Sequence, residues 1–180
     1  ILYPTIMKSQ NATATLGEVT SCPGENTLVP LNVTDFNNVG GISLTLNFDN
    51  SFFYYDSVQL NPAIEATADV NGSNVLGEFI LGWNSLVGID LDDDDTLFTL
   101  FFTYEGPAGG GTSCLTWVEN PEEACEYSDP AGIAYSKTLF DDYFIGGCVT
   151  VSEDEEDPVI SGCPAGVTVY TDNRTTCDQV

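Results

Sequence analysis

The chain of 180 residues carries 28 acidic side chains against three basic ones and no histidine, a formal net charge of −25. A surface this negative repels phosphate backbones and anionic headgroups, which excludes nucleic-acid and membrane-surface binding. Without histidine, and with only Lys8, Lys137 and Arg174, it lacks the usual general base, the commonest metal ligand and any clamp for a phosphoryl group or oxyanion, so it is read as non-enzymatic.

In chain order, Ile1 to Met7 is an apolar arm, within residues 1–11, ahead of the first strand of a domain spanning 12–152. Period-two alternation then replaces any helical period. Val29, Leu31 and Val33 alternate with Pro30 and Asn32, and Ile42, Leu44, Leu46 and Phe48 alternate with Ser43, Thr45 and Asn47, a half-buried strand. Phe53 to Tyr55 and Phe79 to Trp83 are short apolar runs. Thr96 to Tyr104 is apolar on both faces and belongs at the centre of a sheet. Glu105 to Thr112, with three consecutive glycines, reads as a flexible loop. Leu115 to Val118, Cys125 to Tyr127 and Cys148 to Val151 complete a set of about nine strands in an all-β sandwich. Glu153 to Asp157, closed by Pro158, is an acidic linker. Residues 158–180 hold one or two further strands, too short a piece to bury its own core.

Asp90, Asp92 and Asp94 share one face if their segment is extended, which makes calcium the candidate ligand, against a solvated turn. Trp83, Trp117, Tyr54 and Tyr55 are candidates for an aromatic platform under a sugar ring, against core packing, the stronger reading for both tryptophans. Six cysteines (Cys22, Cys114, Cys125, Cys148, Cys163, Cys177) form no CxxC pair and have no histidine beside them. They read as disulfides of an oxidising compartment, with fifteen connectivities open. Sequons at Asn11, Asn32, Asn71 and Asn173 point the same way, to covalent glycans on a secreted or surface-displayed protein. Ile at position 1 suits a mature chain whose signal peptide has been removed, and no apolar run approaches the ~20 residues of a membrane span.

Several stretches, in order, resemble the cohesin-like modules of secreted bacterial proteins, especially Bacteroidetes-type surface proteins. They are Cys22-Pro23-Gly24, Val29 to Leu44, Leu81-Gly82-Trp83, Leu97 to Tyr104, Leu115-Thr116-Trp117, Cys125-Glu126-Tyr127 and Gly147 to Val151. The resemblance implies a nine-stranded jelly-roll-like sandwich over residues 12–152. It also implies a Cys22–Cys125 bridge, which leaves Cys114–Cys148 for the same domain and Cys163–Cys177 for the tail. Asp157 to Val169 resembles the opening of a hyalin repeat, so the C-terminal segment reads as a partial Ig-like module. Asp56-Ser57-Val58 and Asp95-Thr96-Leu97 resemble the O-glycosylation signal of Bacteroidetes, which makes Ser57 and Thr96 further glycan candidates.

The leading functional expectation is a structural subunit of an extracellular fibre or adhesive stalk. Ile1, Leu2 and Ile6 at one end, and Val159, Ile160, Val167 and Val169 at the other, would add strands to neighbouring copies. The alternative is a recognition module in the cohesin sense, whose sandwich face binds a partner domain or a carbohydrate.

Overall fold

A computed structural model describes residues 12–107, 109–119, 124–135 and 140–152. The N-terminal arm, the acidic linker and the partial Ig-like segment lie outside the described residues, and with them every residue named for strand exchange. Two sheets face each other. The smaller contains β1 (Thr13–Leu16), β3 (Asn26–Thr34), β5 (Phe53–Leu60), β8 (Thr96–Tyr104) and β11 (Phe144–Ile145), in the order β11-β1-β3-β8-β5. The larger contains β2 (Val19–Ser21), β4 (Val39–Asn47), β6 (Asp69–Ser73), β7 (Glu78–Ile89), β9 (Gly111–Trp117) and β12 (Gly147–Val151), in the order β2-β12-β9-β4-β7-β6. One further strand, β10 (Glu126–Ser128), pairs with β4 beyond the end of β9, so the two share a lane. Among the described residues helix is limited to two single turns, α1 (Pro62–Glu65) and α2 (Phe140–Tyr143).

The architecture is the expected jelly-roll sandwich, and twelve strand segments among the described residues make nine lanes, because β9 and β10 share one and two others change sheet midway. The first passes from β1 to β2 at Gly17, and the last from β11 to β12 at Gly146. Each half pairs in parallel with its counterpart, β1 with β11 and β2 with β12. The crossing is tight: a Cβ on Gly147 would stand 2.6 Å from the Gly17 carbonyl oxygen and 2.8 Å from that of Leu16. Only glycine fits there.

The core lies between the sheets and follows the alternation read from the sequence. Val29, Leu31 and Val33 of β3 are fully buried, as are Leu44 and Leu46 of β4. Strand β8 runs between β3 and β5 as its two apolar faces require. Its inward Phe98 meets Phe79 across the core at 5.3 Å, and Phe102 meets Phe48 and Phe53 at 5.2 Å each. Asn74 ties the sheets together at one edge. Where a bulge in β5 interrupts its ladder, the Asn74 amide donates to the Tyr55 carbonyl at 2.9 Å and its oxygen accepts from the Tyr55 N–H at 2.6 Å. Asn74→Ala leaves both backbone groups unmet in a half-buried setting and is expected to cost about 1–3 kcal/mol in urea denaturation. A loss under 0.5 kcal/mol would mean that water replaces the amide.

Two local expectations are corrected. The Cys22–Cys125 bridge is absent. Cys125 is buried, its Sγ donates to the Thr45 carbonyl at 3.3 Å, and Cys22 is engaged in a disulfide elsewhere. The reason is topological: β10 occupies the lane of β9, two strand spacings or about 10 Å from β2, beyond the ~7 Å that a disulfide spans. By contrast, Cys114 and Cys148 stand directly opposite in the β9–β12 ladder and are bonded, with Cα atoms 3.9 Å apart. Cys163 and Cys177 lie outside the described residues. The glycine stretch read as a flexible loop instead ends in a packed turn. Gly110 is buried at φ 70°, where a Cβ would stand 2.1 Å from the Val151 carbonyl oxygen. The strand expected at Cys125–Tyr127 is present as β10, and it continues the lane of β9.

Candidate functional site

The acidic stretch between β7 and β8 does not gather its carboxylates around a cation. Asp90 accepts from the Asn38 N–H at 2.6 Å and Asp93 from the Asp35 N–H at 2.9 Å, while Asp95 accepts from the Asp92 N–H at 3.0 Å. Asp94 takes a left-handed conformation at φ 69° to close the turn. Each bonded carboxylate therefore caps backbone, and no group of three acidic, Cys or His side chains converges among the described residues. Asp90, Asp92 and Asp94, the residues named for calcium, are thus not gathered into one ligand set among the described residues. Nearby, the Tyr135 hydroxyl donates to the Asn38 carbonyl at 2.7 Å, and burial, then Asp129 and Asp90, raise its phenol above the ordinary value.

The aromatic platform is not assembled either. Trp83 is buried in β7 with its indole N–H on Thr67 Oγ1 at 3.0 Å, and Trp117 packs on Phe144 at 5.5 Å. Tyr55 turns inward onto Phe79, which leaves Tyr54 alone on the surface of the other sheet. Of the glycan candidates, Asn71 lies exposed on β6. Ser57 and Thr96 lie exposed on the smaller sheet, with Thr96 Oγ1 donating to the half-buried Asn32 at 2.9 Å. Asn11 and Asn173 lie outside the described residues.

What the structure does bring together is a surface that the sequence did not single out. On the outer face of the larger sheet, Asp69, Gly82 and Ser43 form one row, Asn71, Ile80 and Thr45 the next, and Ser73, Glu78 and Asn47 a third. Apart from Ile80 the face is made of small or polar side chains, and a Cβ on Gly82 would meet nothing within 4 Å. Both ends of β7 carry protruding aliphatics. At one, the β6–β7 turn presents Val75 and Leu76 at 86% and 72% exposure. At the other, the register between β7 and β4 shifts, leaving residues 85–88 opposite Gly40 alone. Leu86 and Val87 are extruded there at 91% and 73% exposure.

These four are the most exposed large hydrophobics among the described residues, and both pairs are held in place. Asn50 donates its amide to the Asn74 and Val75 carbonyls at 3.2 and 3.1 Å, and Gly77, at φ 65°, closes the turn against the Phe48 carbonyl. At the opposite end, Ser85 Oγ accepts from the Val87 N–H at 3.1 Å. Scattered exposed leucines need no explanation, but two fixed pairs bracketing one bare face do. Lanes at about 4.8 Å and a rise of about 3.3 Å per residue give a patch of about 15 by 40 Å, the scale of a standard interface of about 800 Å2 per partner.

Charge adds direction. Asp69 and Glu78 lie on the face, and no Lys or Arg occurs among the described residues, because Lys8, Lys137 and Arg174 all fall outside them. The alternation of β4 could have revealed Ser43, Thr45 and Asn47 as outward positions. The pairs Val75-Leu76 and Leu86-Val87, each beside a glycine, were the remaining signal.

Residues 12–121 match the family model described as the cohesin domain. No curated protein matches the chain. Among solved structures, a cohesin from Clostridium acetobutylicum is 22% identical with a TM-score of 0.63, covering 81% of this chain and 93% of its own. A type I cohesin–dockerin complex from Clostridium thermocellum aligns at 13% identity and a TM-score of 0.64, covering 78% and 99%. A non-cellulosomal cohesin from the archaeon Archaeoglobus fulgidus aligns at 18% and 0.62, covering 81% and 94%.

Proposed function

The chain belongs to the cohesin family, and from that premise we propose that it is a non-catalytic recognition module that binds a dockerin-type partner domain through the outer face of β6, β7 and β4. The observation that carries this reading is the bare face around Gly82, bracketed by the aliphatic pairs at the two ends of β7. Relatives from Clostridium thermocellum have been captured with dockerin domains, which supplies the partner class. The protruding aliphatics would supply buried anchors, and the small side chains between them would let a helix of the partner approach closely.

Recognition is favoured over fibre assembly because it rests on a surface the fold presents. Every residue of the fibre reading (Ile1, Leu2, Ile6, Val159, Ile160, Val167, Val169) lies outside the described residues. We place the module outside the cell, as part of a secreted or surface protein. The Cys114–Cys148 bridge supports an oxidising compartment. The reading of residues 158–180 as the opening of a hyalin-type module, and of the source as Bacteroidetes-like, belongs to this proposal and rests on the sequence alone.

The test is calorimetric titration with a panel of dockerin domains. At least one should bind, and Gly82→Arg, which fills the open centre of the face, should weaken that complex at least 30-fold while the circular dichroism spectrum is unchanged. Binding that ignores Gly82→Arg would move the interface elsewhere. Since the face bears Asp69 and Glu78 without a described cation, the association rate should fall as salt rises from 50 to 500 mM, by about tenfold for a basic partner. A salt-independent rate would assign recognition to the aliphatic pairs alone.

A further inference from the structure

We infer that the outer face of the smaller sheet, on the opposite side of the sandwich, is a second binding site whose ligand is a neutral polysaccharide. Strand register places Tyr54 on β5 beside Thr103 on β8, with Asn26 on β3 completing the row. The next row sets Phe101 against Leu28, and the next sets Gln59, Thr99 and Pro30 side by side. Tyr54 and Leu28 are each 46% exposed and Phe101 is partly exposed. Tyr54 and Phe101 occupy diagonal positions on adjacent strands, about 7–8 Å apart.

The chemistry of this face differs from that of the rest of the chain. In a protein of net charge −25, its outward strand positions hold one carboxylate, Asp56, and that carboxylate accepts from Thr103 Oγ1 at 2.9 Å. An anionic ligand finds no counter-charge there, and the one carboxylate is already held by Thr103. What remains is two aromatic rings and an aliphatic side chain set flat among amides and hydroxyls. Sugar rings offer the complement: apolar C–H faces for Tyr54 and Phe101, and hydroxyls for Asn26, Gln59 and Thr99. An extended chain suits the face because the rows repeat along the sheet and run, at Gln59 and Thr99, into a shallow open cavity. Nothing protrudes as Leu86 and Val87 do opposite, so a protein partner has no anchor to grip. The inference does not depend on partner recognition by the other face.

The full chain would be incubated with regenerated amorphous cellulose, chitin and insoluble xylan, and the bound fraction measured. Retention on at least one of these is expected, with a drop of at least tenfold in Tyr54→Ala and in Tyr54→Ala/Phe101→Ser. The single variant alters an exposed side chain, which keeps the test valid if the double variant misfolds. Gly82→Arg should bind polysaccharide as the wild type does, which separates this site from the partner face. No retention on any of the three, or full retention in Tyr54→Ala, would overturn the inference. So would a dimer by light scattering that Leu28→Asp dissociates, which would assign the face to self-association.

Discussion

Replacing Phe102 with alanine is expected to lower stability by about 3–5 kcal/mol, the range for a fully buried phenylalanine whose cavity cannot collapse. Phe102 has no solvent exposure, and its ring sits among Phe48, Phe53 and Tyr55, with centroids at 5.2, 5.2 and 6.1 Å. Those neighbours come from β5 in the same sheet and from the end of β4 in the facing one, so no single strand can shift to fill the space. For a domain of this size the midpoint of thermal unfolding should fall by roughly 10–20 °C. Calorimetry checks this directly, and a shift below 5 °C would mean that the sheets close over the gap.

The second large effect is expected from Cys114→Ser/Cys148→Ser. The bridge joins residues separated by 34 positions, and removing it frees that loop in the unfolded chain, worth about 3–4 kcal/mol on the chain-entropy account. The pair holds β9 to β12, on whose far side β2 hangs. Denaturant unfolding of the double variant, beside wild-type protein with and without reductant, measures the loss. Reduced wild type should match the double variant if this bridge is the one that matters. A change under 1 kcal/mol would show that the ladder alone fixes the lanes.

The strands that alternate cleanly were legible in the sequence. Val29 to Val33 and Ile42 to Phe48 have a buried side chain at every second position, so period two carries both element and face. β6 was not legible, because Asp69-Val70-Asn71-Gly72-Ser73 has the composition of a turn. It is a strand because β7 offers it an open edge and Gly72 lets the Tyr55 ring pack where a Cβ would stand 2.2 Å away. The sheet changes at Gly17 and Gly146 were equally hidden, since they depend on which lanes meet across the core. For the candidate site, the acidic run attracted attention as a ligand cluster, yet its carboxylates cap the backbone of the Asp35–Asn38 turn. The partner face escaped notice for the opposite reason. Serine, threonine, asparagine and glycine in alternate positions look like any solvated strand surface, and only the register aligns them between Leu76 and Leu86.

The central claim is that the β6–β7–β4 face is where the partner lands, and methyl chemical-shift mapping tests it most directly. With the tightest-binding dockerin domain titrated into labelled protein, the methyl signals of Val75, Leu76, Ile80, Leu86 and Val87 should move together, while those of Leu28 and Ile145 on the opposite sheet stay fixed. Shifts confined to Leu28 and Ile145, with the β7 ends silent, would contradict it.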